Sequence, residues 1–470
     1  MKAIDYHLQT KHYPNKFAKS LRYLDWDNQP SPYKKYFTKS IPLPLTKPLN
    51  YTYEQLYTKN PSLTLNIYSI SKLFEYSLSL SAIKEYNFSR WAVRVNPSSG
   101  NLHPEESYII FKNKVCHFNP KNFALEIIGE SKEELITNGA IIILTSIPLR
   151  ESWKYGERAL RYTLLDTGHA IGAVRFASNL LGWEMRLIDD IKEETLKKLI
   201  GLDKQNFYEN EEEIFEAAFY IQNPKINLKA FEKIEFNLSH SPLAKEKVRW
   251  DIIYQEFPRS PYKPTYINSK TIFLPSPFSA DEIIKYRRSA LNFKKSYIKK
   301  EDFLDILDKT LPRKIPPFDV GIAGKIDFLI FVNRVDGIAS GLYFFKRDEN
   351  KLTLIEKGDF SKIAKIINCN QNLGENSAFT LSMVIDKKEI KSDYHYKMAM
   401  FEAGMIGQIL YLEAEAKNLR GCGIGCFFDD LITIELLQNS NLLALYSFSI
   451  GEPIVDERII PIKPNALKVE

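Results

Sequence analysis

LLDTGHAIGAVRFASNLLGW (Leu164–Trp183) and MFEAGMIGQILYLEAEAKNL (Met400–Leu419) decide how this chain is read. In each stretch an acid, a small residue and a glycine recur in order, as Asp166-Thr167-Gly168 and Glu402-Ala403-Gly404. Each then continues as a long, mostly apolar helical segment. A helix that is apolar on most of its faces belongs in the interior of a domain. Two such helices of related wording indicate an internal repeat.

The surroundings repeat as well. ESYIIFKNKVCHFNPKNFALEII (Glu106–Ile128) and DFLIFVNRVDGIASGLYFFKRDENKLTLIEKG (Asp327–Gly358) both read strand, turn and strand. Further upstream, KLFEYSLSLS (Lys72–Ser81) and DEIIKYRRSA (Asp281–Ala290) read as short helices. Repeat 1 is expected over residues 66–225 and repeat 2 over 275–470. Residues 226–274, with SPLAKEKVRW and FPRSPYKPTY, read as a linker crossing the surface. Residues 1–65 are rich in Tyr, Pro and Lys and read as a wrapping arm. IPLPLTKP (Ile41–Pro48) is expected to be extended, because each proline restricts itself and its predecessor. Trp26, Tyr33, Tyr36 and Phe37 in the arm call for burial.

Composition sets outer bounds. The chain has 470 residues, 44% hydrophobic and 26% charged, enough for sizeable cores in two or three domains. The net charge of +6 is spread among interleaved signs, and the lysine pairs Lys294-Lys295 and Lys299-Lys300 read as solvated surface. No nucleic-acid partner and no membrane association are expected. Four cysteines, Cys116, Cys369, Cys422 and Cys426, are too few for a disulfide framework, which points to a reducing, cytoplasmic setting. The polar start of the chain agrees with that expectation. Cys422 and Cys426 read as small buried side chains, and no metal site is expected.

The order of these motifs in two repeats resembles the nitroreductase superfamily. More narrowly it resembles the SagB-type dehydrogenases, the group that includes azoline oxidases of peptide-modifying clusters. The arm, YHLQTKHYPNKFAKSLRYLDWDNQPSPYKKY (Tyr6–Tyr36), is similar to that of tandem members. The resemblance implies an α+β fold in which a mixed sheet is flanked by helices. It implies two tandem nitroreductase-like domains forming a pseudo-dimer within one chain, with FMN bound at the interface.

Such an FMN site needs three parts. For the phosphate, repeat 2 offers Arg287-Arg288-Ser289 and Asn292, expected at a basic helix start. Guanidinium groups suit phosphate oxygens, and a serine hydroxyl adds a donor. Repeat 1 has Ser77-Leu78-Ser79 there and should hold no phosphate. An exposed helix end would carry the same arginines. Many members also have a further basic residue where this chain has Asn292.

The second part, a loop donated from the other half, is PSSGNLHPEESY (Pro97–Tyr108). Its Pro97, Ser98, Ser99 and Asn101 suit ribityl oxygens and the polar ring edge. An ordinary turn before a strand reads the same way. Repeat 2 has LPRKIPPFDVGIAG (Leu311–Gly324), without the serines. The third part is backbone against the flavin ring, at Gly423, Ile424 and Gly425 of RGCGIGCFFDD (Arg420–Asp430). Repeat 1 has WEMRLIDD (Trp183–Asp190) instead. Arg458, which ends GEPIVDER, resembles a late basic residue closing on the phosphate. The losses are complementary, so one complete composite site and one FMN per chain are expected.

Lys154-Tyr155, within WKYGERALRY (Trp153–Tyr162), resembles the Lys-Tyr pair assigned acid–base work in azoline oxidases. A lysine accepts a proton near neutral pH when burial or a nearby cation depresses its pKa. The same pair is common before helices in proteins at large. His103 and His169 lie near these motifs, and His169 reads as structural. The leading expectation is an FMN-dependent dehydrogenase, transferring hydride to flavin N5 from a heterocycle or related bond in a peptide or small molecule, with a modifying-enzyme partner in view. The alternatives are an NAD(P)H-dependent nitro or quinone reductase and a non-catalytic scaffold of a peptide-modifying complex.

Overall fold

The computed structural model describes residues 1–87 and 89–467. The arm contributes α1 (Lys2–Gln9) and β1 (Ser40–Pro42). Repeat 1 runs α2 (Ile67–Glu75), β2 (Leu80–Tyr86), β3 (Ser89–Arg94), β4 (Glu105–Lys112), β5 (Lys114–Asn119), β6 (Ala124–Glu130) and β7 (Ile136–Ser146). It continues as α3 (Pro148–Tyr155), α4 (Ala159–Leu180), β8 (Met185–Leu187), α5 (Glu193–Leu199) and β9 (Ile214–Ile226). A short α6 (Leu228–Phe231) opens the connection. Repeat 2 runs α7 (Ala280–Tyr286), α8 (Lys300–Lys309), β10 (Asp327–Val332), β11 (Gly341–Lys346), β12 (Lys351–Lys357), α9 (Ser361–Ile367) and α10 (Asn372–Asn376). It ends with β13 (Phe379–Asp386), α11 (Asp393–Ala416), β14 (Arg420–Ile424), β15 (Leu442–Gly451) and β16 (Ile459–Pro461).

The strands form two main sheets, ordered β1-β6-β5-β4-β7-β9-β8 and β12-β11-β10-β13-β15-β14. A third, small sheet, β16-β2-β3, joins the end of the chain to repeat 1. The chain is therefore two α+β sheet-and-helix units. In strand direction the sheets differ from the mixed sheet the resemblance implied: every pairing between named strands is antiparallel. Hairpins such as β4-β5-β6 and β10-β11-β12 impose this, since a tight turn reverses the chain. Parallel contact survives in isolated bridges such as Ser289 with Gly421.

Strand β7 shows why an apolar run can be a strand. Successive side chains of a strand point to opposite faces. Ala140, Ile142 and Leu144 pack into the central core, while Ile141 and Ile143 join a second core with Leu196 and Leu199 of α5. Both faces are covered, so the run is apolar throughout.

The repeated helices α4 and α11 pack against each other at the centre, and their glycines explain how closely. A Cβ on Gly168 would lie 2.3 Å from the Phe401 carbonyl oxygen, and one on Gly404 would lie 2.1 Å from that of Leu165. The acid–small–glycine pattern thus marks the crossing point of the two backbones.

Two short helices end earlier than their sequences suggested. In repeat 1 the helix stops at Glu75. The Ser77 and Ser79 hydroxyls donate to the carbonyls of Leu73 and Glu75, and a strand begins at Leu80. Serines that bond their own backbone compete with helix continuation. In repeat 2 the helix ends at Tyr286, and Arg287 is its extended C-cap. The arginines therefore follow a helix end rather than open one, and Arg288 caps it by donating to the carbonyls of Lys285 and Arg287.

The cysteine reading also changes. Cys369 and Cys426 form a disulfide, with Cα atoms 5.9 Å apart. Cys426 is half-buried and bridged rather than a lone buried side chain, and Cys422 is half-buried and free. The loop after α9 and the loop after β14 are brought together by the Phe428 amide, which donates to Ile367. No spacing pattern reveals such a contact across 57 residues. In the arm, Tyr36 is buried and Tyr33 half-buried, but Trp26 and Phe37 are exposed. No helix among the described residues is long and apolar enough to cross a membrane.

Candidate functional site

Between the repeats lies a cavity of about 450 Å³. Repeat 1 lines it with Pro97, Ser98, Ser99, Gly100, Asn101, Tyr155, Tyr162 and Asp166. Repeat 2 lines it with Arg287, Arg288, Ser289, Tyr411, the run Cys422–Cys426 and Tyr446. The structure thus gathers ten of the expected cofactor-contacting residues around one space, together with Tyr155.

Arg287 and Arg288 are 1% and 4% exposed. Arg287 donates from Nε to the Val95 carbonyl (2.8 Å) and from Nη2 to that of Arg94 (3.2 Å), while Nη1 has no partner among the described residues. Arg288 donates to main-chain carbonyls, including Ser81 across the interface (3.0 Å). Among the described residues neither guanidinium forms an ion pair. Burial lowers the pKa of both, and the charge of Arg287 helps bring Arg288 down to about 9. A buried cation without a counterion costs on the order of several kcal/mol. Two side by side are the electrostatic outline of an anion site. Ser289 shares a hydrogen bond with the Tyr411 hydroxyl (2.8 Å), which also accepts from the Gly423 amide (2.9 Å).

The loop from repeat 1 is pinned by Asp166. Its carboxylate accepts from the Ser98 hydroxyl (2.6 Å), the Ser99 amide (2.8 Å) and the Ser99 hydroxyl (2.8 Å). Both serine hydroxyls are thereby turned toward α4. Gly100 has φ +59, and a Cβ there would sit 2.8 Å from the Tyr155 hydroxyl and 3.1 Å from Lys154 Nζ. The Lys-Tyr pair therefore rests on this loop. Tyr155 stacks on Tyr162 with ring centres 4.2 Å apart. Lys154 is half-buried, stands beside the cavity wall rather than in its lining, and burial lowers its pKa against the opposing effect of Glu151.

The glycines of β14 and the turn after it meet aromatic side chains. A Cβ on Gly423 would lie 1.8 Å from the Tyr446 hydroxyl, and one on Gly425 would lie 2.0 Å from Tyr162 Cε1. His169 shares hydrogen bonds with Tyr446 (3.1 Å) and Gln408 (3.4 Å), and burial brings its pKa down to about 3. His103 is buried, its ring sharing a hydrogen bond with the Asn101 amide oxygen (3.2 Å).

Two expected residues lie outside the lining. The Asn292 oxygen accepts from the Phe293 amide and from Asn376. Arg458 is exposed and paired with Asp456 (2.6 Å). The basic side chain in the lining there is Lys84 of β2, itself paired with Asp456 (2.8 Å). Lys84, Tyr162, Tyr411 and Tyr446 were missed because each belongs to a strand or helix whose pattern reads simply as core.

The place related by the repeat holds a larger, more open groove of about 1090 Å³. There Arg175 stands seven residues after Gly168, as Tyr411 does after Gly404. It is paired through two nitrogens with Asp319 (2.7 and 2.8 Å), so its charge is already satisfied. Lys59, Lys112 and Lys314 on its rim are exposed. The arm crosses this place: Trp183 Nε1 donates to the Leu63 carbonyl (2.7 Å), and a Cβ on Gly182 would lie 2.3 Å from Pro61 O.

No protein-family model matches the chain, and no curated protein matches it. Solved structures do. A putative nitroreductase from Anabaena variabilis superposes with a TM-score of 0.71 at 21% identity, over 96% of this chain and 99% of that one. A putative nitroreductase from Ralstonia eutropha gives 0.31 at 14% identity, over 43% of this chain and 99% of that one. One chain of an Escherichia coli microcin synthetase complex gives 0.30 at 15% identity, over 43% and 79%. The last two likenesses carry no further weight here. The fold is that of the nitroreductases. With that fold, this chain joins two sheet-and-helix units in one polypeptide and frames between them a cavity lined by two buried arginines that form no ion pair among the described residues.

Proposed function

We propose that the chain is an FMN-dependent oxidoreductase whose two units act as an intramolecular counterpart of a dimer and hold one FMN between them. The observation that carries this reading is the pair Arg287 and Arg288, buried with no ion pair among the described residues at a cavity walled by both units. A ligand with a phosphate would complete them, and the orphaned Nη1 of Arg287 is one donor ready for it. Tyr411 and Ser289 extend the polar wall, and Gly423 and Gly425 let the rings of Tyr446 and Tyr162 close on the backbone of the opposite wall. Bound there, FMN would supply two-electron, hydride-accepting chemistry. Arg175–Asp319 and the arm crossing support one cofactor per chain rather than two.

Lys154 and Tyr155 are the residues we assign to proton handling. Both come to Gly100 of the cavity loop, and burial favours the neutral amine of Lys154, the form that accepts a proton. Tyr155, held by its stack on Tyr162, would orient the substrate or the amine. This supports a SagB-type dehydrogenase acting on a heterocycle or related bond in a peptide or small molecule, with a modifying-enzyme partner presenting it.

The test is the visible spectrum of the purified protein with the released cofactor identified and counted. One FMN per chain, lost in an Arg287→Ala/Arg288→Ala variant that still folds, is expected. A colourless protein that cannot be loaded, or a ratio near two, removes the composite site. Bleaching by NAD(P)H would favour a reductase over a dehydrogenase.

A further inference from the structure

Behind Lys154 and Tyr155 the wall is made of carboxyl groups. Glu151 precedes them on α3 by three and four residues, the spacing that turns side chains to one helix face. Asp166 faces the cavity from α4, and Glu105 opens β4. Their exposures are 0%, 2% and 2%. Both oxygens of Glu151 and both of Glu105 lack a hydrogen-bond donor among the described residues. The nearby arginines are committed elsewhere: Arg150 to Glu106, His103 O and Ser31 O, and Arg94 to Pro32 O. Lys154 forms no ion pair among the described residues.

Three ionised carboxylates cannot share such a wall, because each buried charge without a partner costs on the order of several kcal/mol. The wall must hold protons. A proton between two carboxyls makes a hydrogen bond that two carboxylates cannot make. Asp166 is the fixed acceptor of such a pair, because Ser98 and Ser99 already orient it. Glu151, whose oxygens are empty, is the mobile member.

We propose that Glu151 and Asp166 form a shared-proton carboxyl pair that receives the proton Lys154 removes from substrate. This rests on the oxidoreductase reading for its purpose, though not for its test. The step is a proton transfer alone: an N–H bond at Nζ breaks and an O–H bond forms at Glu151 as the proton the pair already shares moves onto Asp166, and the summed charge of the three groups is unchanged. It resets the amine without waiting for solvent. In the reverse direction the same pair supplies a proton.

The titrating neighbours are consistent with this. Burial, Asp166 and Glu105 push Glu151 well above the carboxylate range, and burial raises Asp166 to about 7. Burial and Asp166 likewise push Glu105 well above the usual carboxylate range. The other groups facing the pair are Lys154 and Tyr155 from α3, and Tyr446 from β15, which feels Asp166 across the cavity. Arg94 and Arg150 lie behind Glu105.

Infrared spectra of the intact purified protein through a pH titration test the pair. A protonated-carboxyl stretch that persists at neutral pH is expected, and Glu151→Gln should weaken it, leaving the part due to Glu105, while far-ultraviolet circular dichroism is unchanged. Absence of the band in the wild type, or its full survival in Glu151→Gln, overturns the pair. Lys154→Met gives a second reading. Removing the positive charge that Lys154 carries when protonated should raise the midpoint of the carboxyl band by roughly one pH unit, and an unmoved midpoint breaks the link to Lys154. The rate of Lys154 acylation by acetic anhydride gives a third: Glu151→Gln should lower its pH midpoint. If the protein binds no flavin yet shows the band and both shifts, the functional reading fails and the pair stands.

Discussion

Gly425 shows how much of the site is decided by single atoms. Its missing Cβ would lie 2.0 Å from the Tyr162 ring, and Tyr162 in turn stacks on Tyr155. Gly425→Ala is expected to push Tyr162 aside, costing about 1–3 kcal/mol as overpacking does. Urea unfolding would measure the loss, and cofactor retention should fall with it. Arg287 and Arg288 stood out in the sequence because repeat 1 has no matching pair. Tyr411 and Tyr446 could not, since an aromatic inside an apolar helix or strand looks like core until the facing glycines are located. Ser98 and Ser99 were found for their hydroxyls, yet the structure turns those hydroxyls to Asp166. A carboxylate 67 or 68 positions away leaves no local trace in the chain.

The helix crossing of α4 and α11 was the most readable element, because close backbone approach permits nothing larger than glycine. Gly404→Val should place atoms against the Leu165 carbonyl, which has no side-chain freedom to yield. A loss of at least about 2 kcal/mol is expected in denaturant unfolding. An unchanged midpoint would mean that the helices part readily. Strands β4, β5 and β6 hold a second device that the sequence hid. His117 shares hydrogen bonds with Glu106 (2.7 Å) and Glu126 (2.9 Å), all three buried.

Burial pushes the His117 pKa down, but the two carboxylates raise it to about 9 from 6.5. Burial pushes Glu106 up, yet Arg150 and His117 bring it to about 2 from 4.5. The histidine's contribution to stability is full below pH 6.5 and is lost as pH rises through 9. The carboxylate's is full above pH 4.5 and is lost as pH falls through 2. Stability should therefore peak between these limits, and His117→Gln should flatten the alkaline limb. An unchanged alkaline limb in that variant would show that other groups govern it.

Asp429 ties the whole molecule together. It lies beyond β14 in repeat 2 and pairs with Arg158 (2.9 Å) and Arg161 (2.8 Å) at the start of repeat 1's long helix, with His7 of the arm at 3.6 Å. Burial would raise its pKa, but the two arginines hold it well below the carboxylate range. Asp429→Ala leaves two buried cations without a partner and should cost about 3–5 kcal/mol. A smaller loss would mean that water enters and relieves them. The division of the chain into two sheet-and-helix units could be read from its sequence. The course of the arm could not. Its low periodicity hides the contacts Lys34 to Glu213 (2.6 Å) and Trp183 to Leu63 that fasten it to repeat 1.

The α4–α11 crossing lies within one covalent chain, and mass action treats that differently from an encounter of two subunits. An interface between separate subunits loosens on dilution, and a site built there loosens with it. Here each half meets the other at an effective concentration set by the tether, on the order of millimolar for a short flexible one and independent of how many molecules are present. The melting temperature of a single chain, and its hold on whatever fills the cavity between the halves, should then be the same in a dilute cell extract as in a concentrated crystallisation drop.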